Sequence, residues 1–388
     1  MARVVMLLEN NPYPQDVRVR SEAESLVRAG YAVTVIAPRG EGQPRRERVG
    51  GVRVRRFWLP ETPANPIGFV AEYLVANAWL HLFGLWELFK GARVVHLHNP
   101  PDTLFGVGFI ARLLGRGVVF DHHDLAPELF EAKFGQSAIV ATLRHFERLT
   151  FLSASTVLAA NESHREIATG RGGLPPARVT VVRNGPPRAA LEGATDPRGG
   201  TLDDPHLLFL GSMESQDGVD DLVPLLEDLT DRHGLAGARL TMVGEGSRRD
   251  DLLAAAAAAG LVERVCFTGL VPHTEVPALL AEADVCVDPA PCTELNQRST
   301  MIKIAEYMAA GRATAAYPLL ETRRTAGDAV AYARCDDRAS FVDVVAALAR
   351  DPSRRLELSR LGRQRAGELA WEASEVHLLG AYRALVRR

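Results

Sequence analysis

Lysine is nearly missing from this chain of 388 residues. Lys90, Lys133 and Lys303 are the three lysines among 45 basic side chains, so arginine is the default cation and each lysine stands out. Cysteine is scarce as well. Cys266, Cys286, Cys292 and Cys335 form no CxxC pair and no regular framework, which excludes a disulfide-rich scaffold. Three of them lie in or beside apolar strand-like runs, the pattern of buried free thiols in a reducing compartment. Net charge is only −3, with both signs spread along the chain and no charged tail, so no nucleic acid is expected as a partner. Long apolar runs are absent too. The most apolar helical stretch, 73–86, is too short to span a bilayer, and the first residues enter a strand without the regions of a secretory signal. A cytoplasmic protein is expected.

What is present is alternation. Short apolar or β-branched runs at 4–8, 32–37, 52–57, 94–97, 118–120, 156–158 and 179–182 are separated mostly by helical segments. A polar stretch rich in Gly and Pro, 186–205, interrupts the rhythm and reads as a linker. Strand-like runs then resume at 207–210, 239–243, 265–268, 285–288, 313–316 and 330–333, with helices dominating the end. The pattern predicts an α/β protein of two doubly wound parallel sheets, and the length fits two domains. Ligands of such folds bind outside the carboxyl ends of the strands.

The loops there carry the chemistry. After the first strand, ENNPYPQDVR from Glu9 lacks the glycines that let a dinucleotide pyrophosphate approach the backbone, which excludes a dehydrogenase. HLHNPPD from His96 and DHHDLAPE from Asp121 follow the fourth and fifth strands, and glycine turns at Gly211 and Gly244 follow two strands of the second half.

One stretch organises the rest: RSTMIKIAEYMAAG, from Arg298 to Gly311. Ser299 and Thr300 are good N-cap residues, Met301, Ile304, Ala305 and Met308 recur at helical spacing, and Gly311 suits the left-handed position after a helix. Arg298 and Lys303 fall at the first turn, where the macrodipole disfavours cations. A diphosphate on the N–H groups of Met301 and Ile302 would reconcile them, and Glu306 would reach toward ribose hydroxyls. On this reading, removing the charge of Lys303 should leave the fold nearly unchanged. The plain alternative is an amphipathic surface helix.

The stretches FLGSMESQDGVDDL from Phe209, MVGEG from Met242, FTGLVPHTEVPALL from Phe267 and STMIKIAEYMAAG from Ser299 resemble the retaining glycosyltransferases of family 4, enzymes of the GT-B fold. DHHDLAPELF from Asp121 and VVRNG from Val181 match N-terminal landmarks of the branch that builds bacterial surface glycans and natural products. The resemblance implies two Rossmann-like domains facing a central cleft. Residues 1–187 form the acceptor side, with 370–388 crossing back onto it, and 188–369 hold the donor. That donor is a nucleotide diphosphate sugar, a UDP- or GDP-sugar, with no further cofactor and no metal. The acceptor is a small molecule or a lipid-linked glycan, the latter implying peripheral contact with the inner membrane surface.

Residue by residue, the resemblance assigns donor binding to Gly211, Ser212, Gly244, Val271, Arg298, Ser299, Thr300, Met301, Ile302, Lys303 and Glu306. Asn11, Asp16, Arg18, His98, Asp124 and Glu128 fall on the acceptor side, and His123, Arg298 and Lys303 are the catalytic candidates. The expected chemistry is front-face departure of the diphosphate, whose own oxygen takes the acceptor proton. Three departures stand out. Arg298 replaces the first Glu of the family's Glu-x7-Glu pair, Ser212 and Asp217 replace a diphosphate-binding Arg and Lys, and the Gly-Gly loop after the first strand is absent.

Other readings stay open. His96, His98, Asp121, His122, His123 and Asp124 have the composition of a metal-dependent hydrolase site, although consecutive histidines are poor ligands for one ion. The resemblance instead turns His123 toward the sugar and gives His96 and His122 structural hydrogen bonds. Arg45, Arg46, Arg48, Arg53, Arg55 and Arg56 belong either to an anion-binding face or to a solvated edge strand. A nucleotide-sugar epimerase and a non-catalytic nucleotide-sugar binder share the cradle.

Overall fold

The structure, a computed structural model, describes residues 1–60 and 66–386. The chain divides into two compact units, Met1–Asn184 with Ala373–Arg388, and Gly185–Glu372.

Among the described residues the first unit holds eight strands: β1 (Arg3–Leu7), β2 (Ala32–Pro38), β3 (Arg46–Val49), β4 (Val52–Phe57), β5 (Val94–His98), β6 (Gly117–His122), β7 (Thr156–Ala159) and β8 (Val179–Val181). They form one sheet in the order β3-β4-β2-β1-β5-β6-β7-β8. All pairs are parallel except β3 with β4. The central strands are near-continuous runs of Val, Leu and Ile, as a parallel sheet covered on both faces requires. The direction of winding reverses between β1 and β5, and the β5–β6 register sets His98 directly beside Asp121.

β3 is the solvated edge strand that one reading of the basic run allowed, although Arg46-Glu-Arg-Val49 has no apolar alternation; it hangs on β4 alone as the sheet's edge. The basic run divides there. Arg45, Arg46, Arg48 and Arg53 are exposed, as on a solvated edge. Arg56 is buried, donating to Glu47 and, at 2.7 Å, to the Tyr13 carbonyl, while the Arg55 guanidinium lies 3.8 Å from the centre of the Phe83 ring.

The second unit holds β9 (His206–Leu210), β10 (Arg239–Val243), β11 (Val265–Gly269), β12 (Val285–Asp288), β13 (Ala313–Ala316) and β14 (Ala331–Tyr332). Their order is β11-β10-β9-β12-β13-β14, all parallel, so the winding reverses between β9 and β12. The crevice that such a reversal opens at the strand ends is where a ligand of this topology is bound.

The cysteines depart from expectation. Cys292 and Cys335 form a disulfide with Cα atoms 5.8 Å apart, 43 residues apart in sequence. Only Cys266, exposed, and Cys286, buried in β12, are free among the described residues, so the cysteines no longer argue for a reducing compartment. No helix among the described residues is long and apolar enough to cross a membrane, including Pro66–Phe89.

Candidate functional site

The stretch read as one loop and helix is two helices. Glu294–Arg298 is capped by Thr293, whose hydroxyl accepts from the Asn296 N–H at 3.2 Å. It ends at Ser299, whose Oγ donates back to the Leu295 carbonyl at 2.8 Å. That bond occupies the hydroxyl expected to cap the next helix. Ile302–Ala309 therefore begins with Met301 at the N-cap, whose side chain makes no cap hydrogen bond. Its far end is as expected, with Gly311 at φ +70°.

Arg298 consequently lies in the last turn of the shorter helix, not at the start of the longer one, and its Nε donates to Glu294 at 2.9 Å. Lys303 is also not the uncompensated cation that the sequence implied. It is buried, with Nζ 2.8 Å from Asp217 Oδ1, 3.3 Å from Asp288 Oδ1 and 4.6 Å from the centre of the Phe209 ring. Burial works against the ammonium, but Asp288 and then Asp217 overcome it and raise its pKa. Burial raises the Asp288 carboxyl in turn, with Lys303 opposing. The expectation that the fold would hardly notice the loss of Lys303 falls with this pairing, because two carboxylates would be stranded.

Glycine lets these loops close on one another. Gly211 follows β9 at φ +149°, and a Cβ there would sit 3.1 Å from Lys303 Cε. A Cβ on Gly244 would lie 2.1 Å from the Gly211 carbonyl oxygen, and one on Gly218 2.0 Å from that of Pro289. The GEG turn thus has a packing reason. Tyr307 secures the helix from behind, its hydroxyl accepting from the Leu210 N–H at 2.8 Å. Glu306 is half-buried, and burial pushes its carboxyl up to about 7 against the pull of Lys303. Ser212 and Ile302 are exposed, Thr300 is half-buried, and Met301 and Val271 pack partly buried against the second unit's core.

In the first unit Asp121 is the hub. Arg18 donates to it from Nε at 2.7 Å and Nη2 at 2.5 Å, while His98 Nδ1 and His123 Nδ1 stand 3.1 and 3.0 Å from its Oδ2. Burial would raise this carboxyl, yet Arg18 and then His123 hold it well below the ordinary range. Burial would likewise depress the His123 imidazole, but Asp121 overcomes this and lifts it to about 9. With Nδ1 occupied, His123 has Nε2 left for any other partner.

Asn99 braces the same loop. Its Oδ1 accepts from the backbone N–H of His123 at 2.8 Å and of Asp124 at 3.2 Å, and its Nδ2 donates to the Asp124 carbonyl at 2.7 Å.

Several expected acceptor-side residues are engaged by other side chains and backbone groups of the first unit. Arg18 is buried and also donates to the Val182 carbonyl and to Asn184. His98 is fully buried, and Asp16 caps the helix Val17–Arg28 by accepting from the Val19 N–H at 2.9 Å. Glu128 pairs with Arg171, which also holds Glu147 against His122. Asn11 is exposed. Sequence reasoning overlooked Asn99, Glu22, and the role of Asp217 and Asp288 as partners of Lys303. A usable signal existed for Asp217, since an acid in a position where relatives carry a cation calls for a cation elsewhere.

Comparison with known proteins matches both units. The family described as "Glycosyl transferase 4-like domain" covers residues 15–185, and "Glycosyl transferases group 1" covers 204–351. A 2-deoxystreptamine glucosyltransferase of Streptomyces kanamyceticus is 27% identical over 79% of this chain and 74% of its own. An alpha-D-kanosaminyltransferase of the same organism is 25% identical over 72% and 76%. Among solved structures, sucrose-phosphate synthase from Thermosynechococcus elongatus superposes with a TM-score of 0.78 at 17% identity, covering all of both chains. Anabaena HepE in complex with UDP and glucose gives 0.73 at 16% identity, over 99% of this chain and 100% of that one.

Proposed function

The chain belongs to the family 4 glycosyltransferases of the GT-B fold, and on that premise we propose that it moves a sugar from a nucleotide diphosphate sugar to an acceptor hydroxyl with retention of configuration. The observation that carries the donor is the start of the helix Ile302–Ala309, with the apolar Met301 at its N-cap, beside the glycine turns of β9 and β10. Its first N–H groups, at Met301 and Ile302, would receive the diphosphate, and Glu306 the ribose. Lys303, held by two acids, positions the loop 211–218 and supplies less free charge than a lone ammonium would. Arg298 is the cation that exchanges Glu294 for the departing phosphate, whose charge the helix N-terminus also stabilises. No metal has a task at this diphosphate.

His123 is the group offered to the sugar and the reacting oxygen, with Arg18, His98 and Asp121 behind it as its support. UDP is the favoured nucleotide, since HepE is solved with it. The acceptor is a small polar alcohol of natural-product type, by likeness to the Streptomyces enzymes, and the reaction is cytoplasmic.

The test is a thermal-shift screen of UDP, GDP, dTDP and ADP followed by transfer assays with the matching sugar donors. We expect UDP to raise the melting temperature, transfer to survive brief EDTA, and the product to keep the donor's anomeric configuration by NMR. An inverted product, or transfer abolished by EDTA and restored by a divalent ion, would overturn the mechanism. Binding without any product would leave a nucleotide-sugar binder.

One observation favours a lipid-linked acceptor as second reading. Leu74, Ala78, Leu82 and Trp86 form an exposed apolar stripe, four residues apart, along the helix Pro66–Phe89.

A further inference from the structure

Three side chains of the first unit converge on one buried point. Glu22 comes from the helix Val17–Arg28, and His96 and His98, two apart on β5, face the same side with ring centroids 4.1 Å apart. All three are completely buried. Glu22 Oε2 lies 3.7 Å from His96 Nε2 and 4.0 Å from His98 Nε2, too far for a hydrogen bond. Both Nε2 atoms and both Glu22 oxygens lack a hydrogen-bond partner.

Leaving such groups unsatisfied costs several kcal/mol in total, so something should occupy the point. A proton on Glu22 bonded to one histidine would leave the other nitrogen orphaned. A water bonded at about 2.8 Å sets its tetrahedral neighbours about 4.6 Å apart. An ion bound at about 2.1 Å sets them about 3.4 Å apart; the 3.7 Å separation to His96 is nearer to this value, and the 4.0 Å separation to His98 lies midway between the two.

The surroundings fit a metal. Ligating histidines usually engage their other nitrogen with a carboxylate or another oxygen, which fixes the ring. Here His98 Nδ1 stands 3.1 Å from Asp121 Oδ2, and His96 Nδ1 is 2.8 Å from the Tyr382 hydroxyl. With each Nδ1 donating, both lone pairs lie on Nε2. The nearby cation is already engaged: Arg18 is held at two points by Asp121 and approaches only the other oxygen of Glu22, at 3.4 Å. We propose that Glu22, His96 and His98 form a buried site for one first-row divalent transition-metal ion. Two imidazoles and a carboxylate suit zinc or cobalt better than magnesium or calcium. The ion would pin the helix Val17–Arg28 to β5 and, through Tyr382, to the last helix. This departs from the sequence expectation of no metal, and it is separate from the diphosphate chemistry of the other unit.

The site is sealed, so brief chelation does not reach it and the metal must be read after acid digestion. The full chain, without a histidine tag, is grown in cobalt-supplemented and in zinc-supplemented medium, alongside Glu22→Gln and His98→Gln. About one metal per wild-type chain, a visible cobalt d–d band, and at least a tenfold loss of both in each variant are the expected results. Wild-type protein carrying less than about a tenth of an equivalent from both media overturns the proposal, and so does full metal retained in both variants. The wild-type measurement decides the matter even if a variant fails to fold.

Discussion

Lys303 shows how a single side chain changes meaning once its neighbours are known. Replacement by Met keeps the stem and leaves Asp217 and Asp288 facing each other without their cation. We expect Lys303→Met to destabilise the second unit by about 3 kcal/mol in urea titration, the scale for breaking a buried pair. Adding Asp217→Asn should recover part of the loss; a single variant as stable as wild type would show that the pair contributes nothing.

Glu306 carries a pH signature. Its folded pKa is raised from 4.5 to about 7, so the folded form holds the proton more tightly than the unfolded one. Its stabilising contribution is complete below about 4.5 and is lost as pH rises through 7. Glu306→Gln should therefore gain on wild type across that window, by on the order of 3 kcal/mol at pH 8. Parallel stability curves for the two proteins would contradict this.

At the scale of elements, the parallel strands were readable because each is a short apolar run bounded by polar loops. What escaped was whatever depended on a partner. The break at Ser299 exists because a hydroxyl bonded backward to Leu295 instead of forward. At the site, the glycine turns and the DHHD loop were legible, whereas the convergence of Arg18, His98 and His123 on Asp121 came from strand register. The helix Pro66–Phe89 makes a prediction of its own. If its apolar stripe rests on lipid, wild-type protein should sediment with vesicles containing anionic lipid, and Leu82→Glu with Trp86→Glu should reduce the bound fraction at least fivefold. Equal binding by both proteins would remove the lipid-linked reading.

For the molecule as a whole, the two units should differ in their response to reductant. The disulfide Cys292–Cys335 lies wholly within the second unit and closes a loop of 43 residues, so reduction should cost that unit about 2–4 kcal/mol. Dithiothreitol should shift the denaturant midpoint of fluorescence or hydrogen exchange for the second unit only; an equal shift in both, or in neither, would contradict this. The pairing could not be read from sequence because its partners stand in different strand-to-helix connections, with no repeated spacing to betray them.

The division of the chain also has a consequence for its birth on the ribosome. The first unit begins at Met1 but needs Ala373 onward, and 188 residues, 185–372, are made in between. At about 5–20 residues per second, that is a wait of about 10–40 s. His96 meets the Tyr382 hydroxyl only after 286 further residues have been joined, so the unit that is started first is finished last.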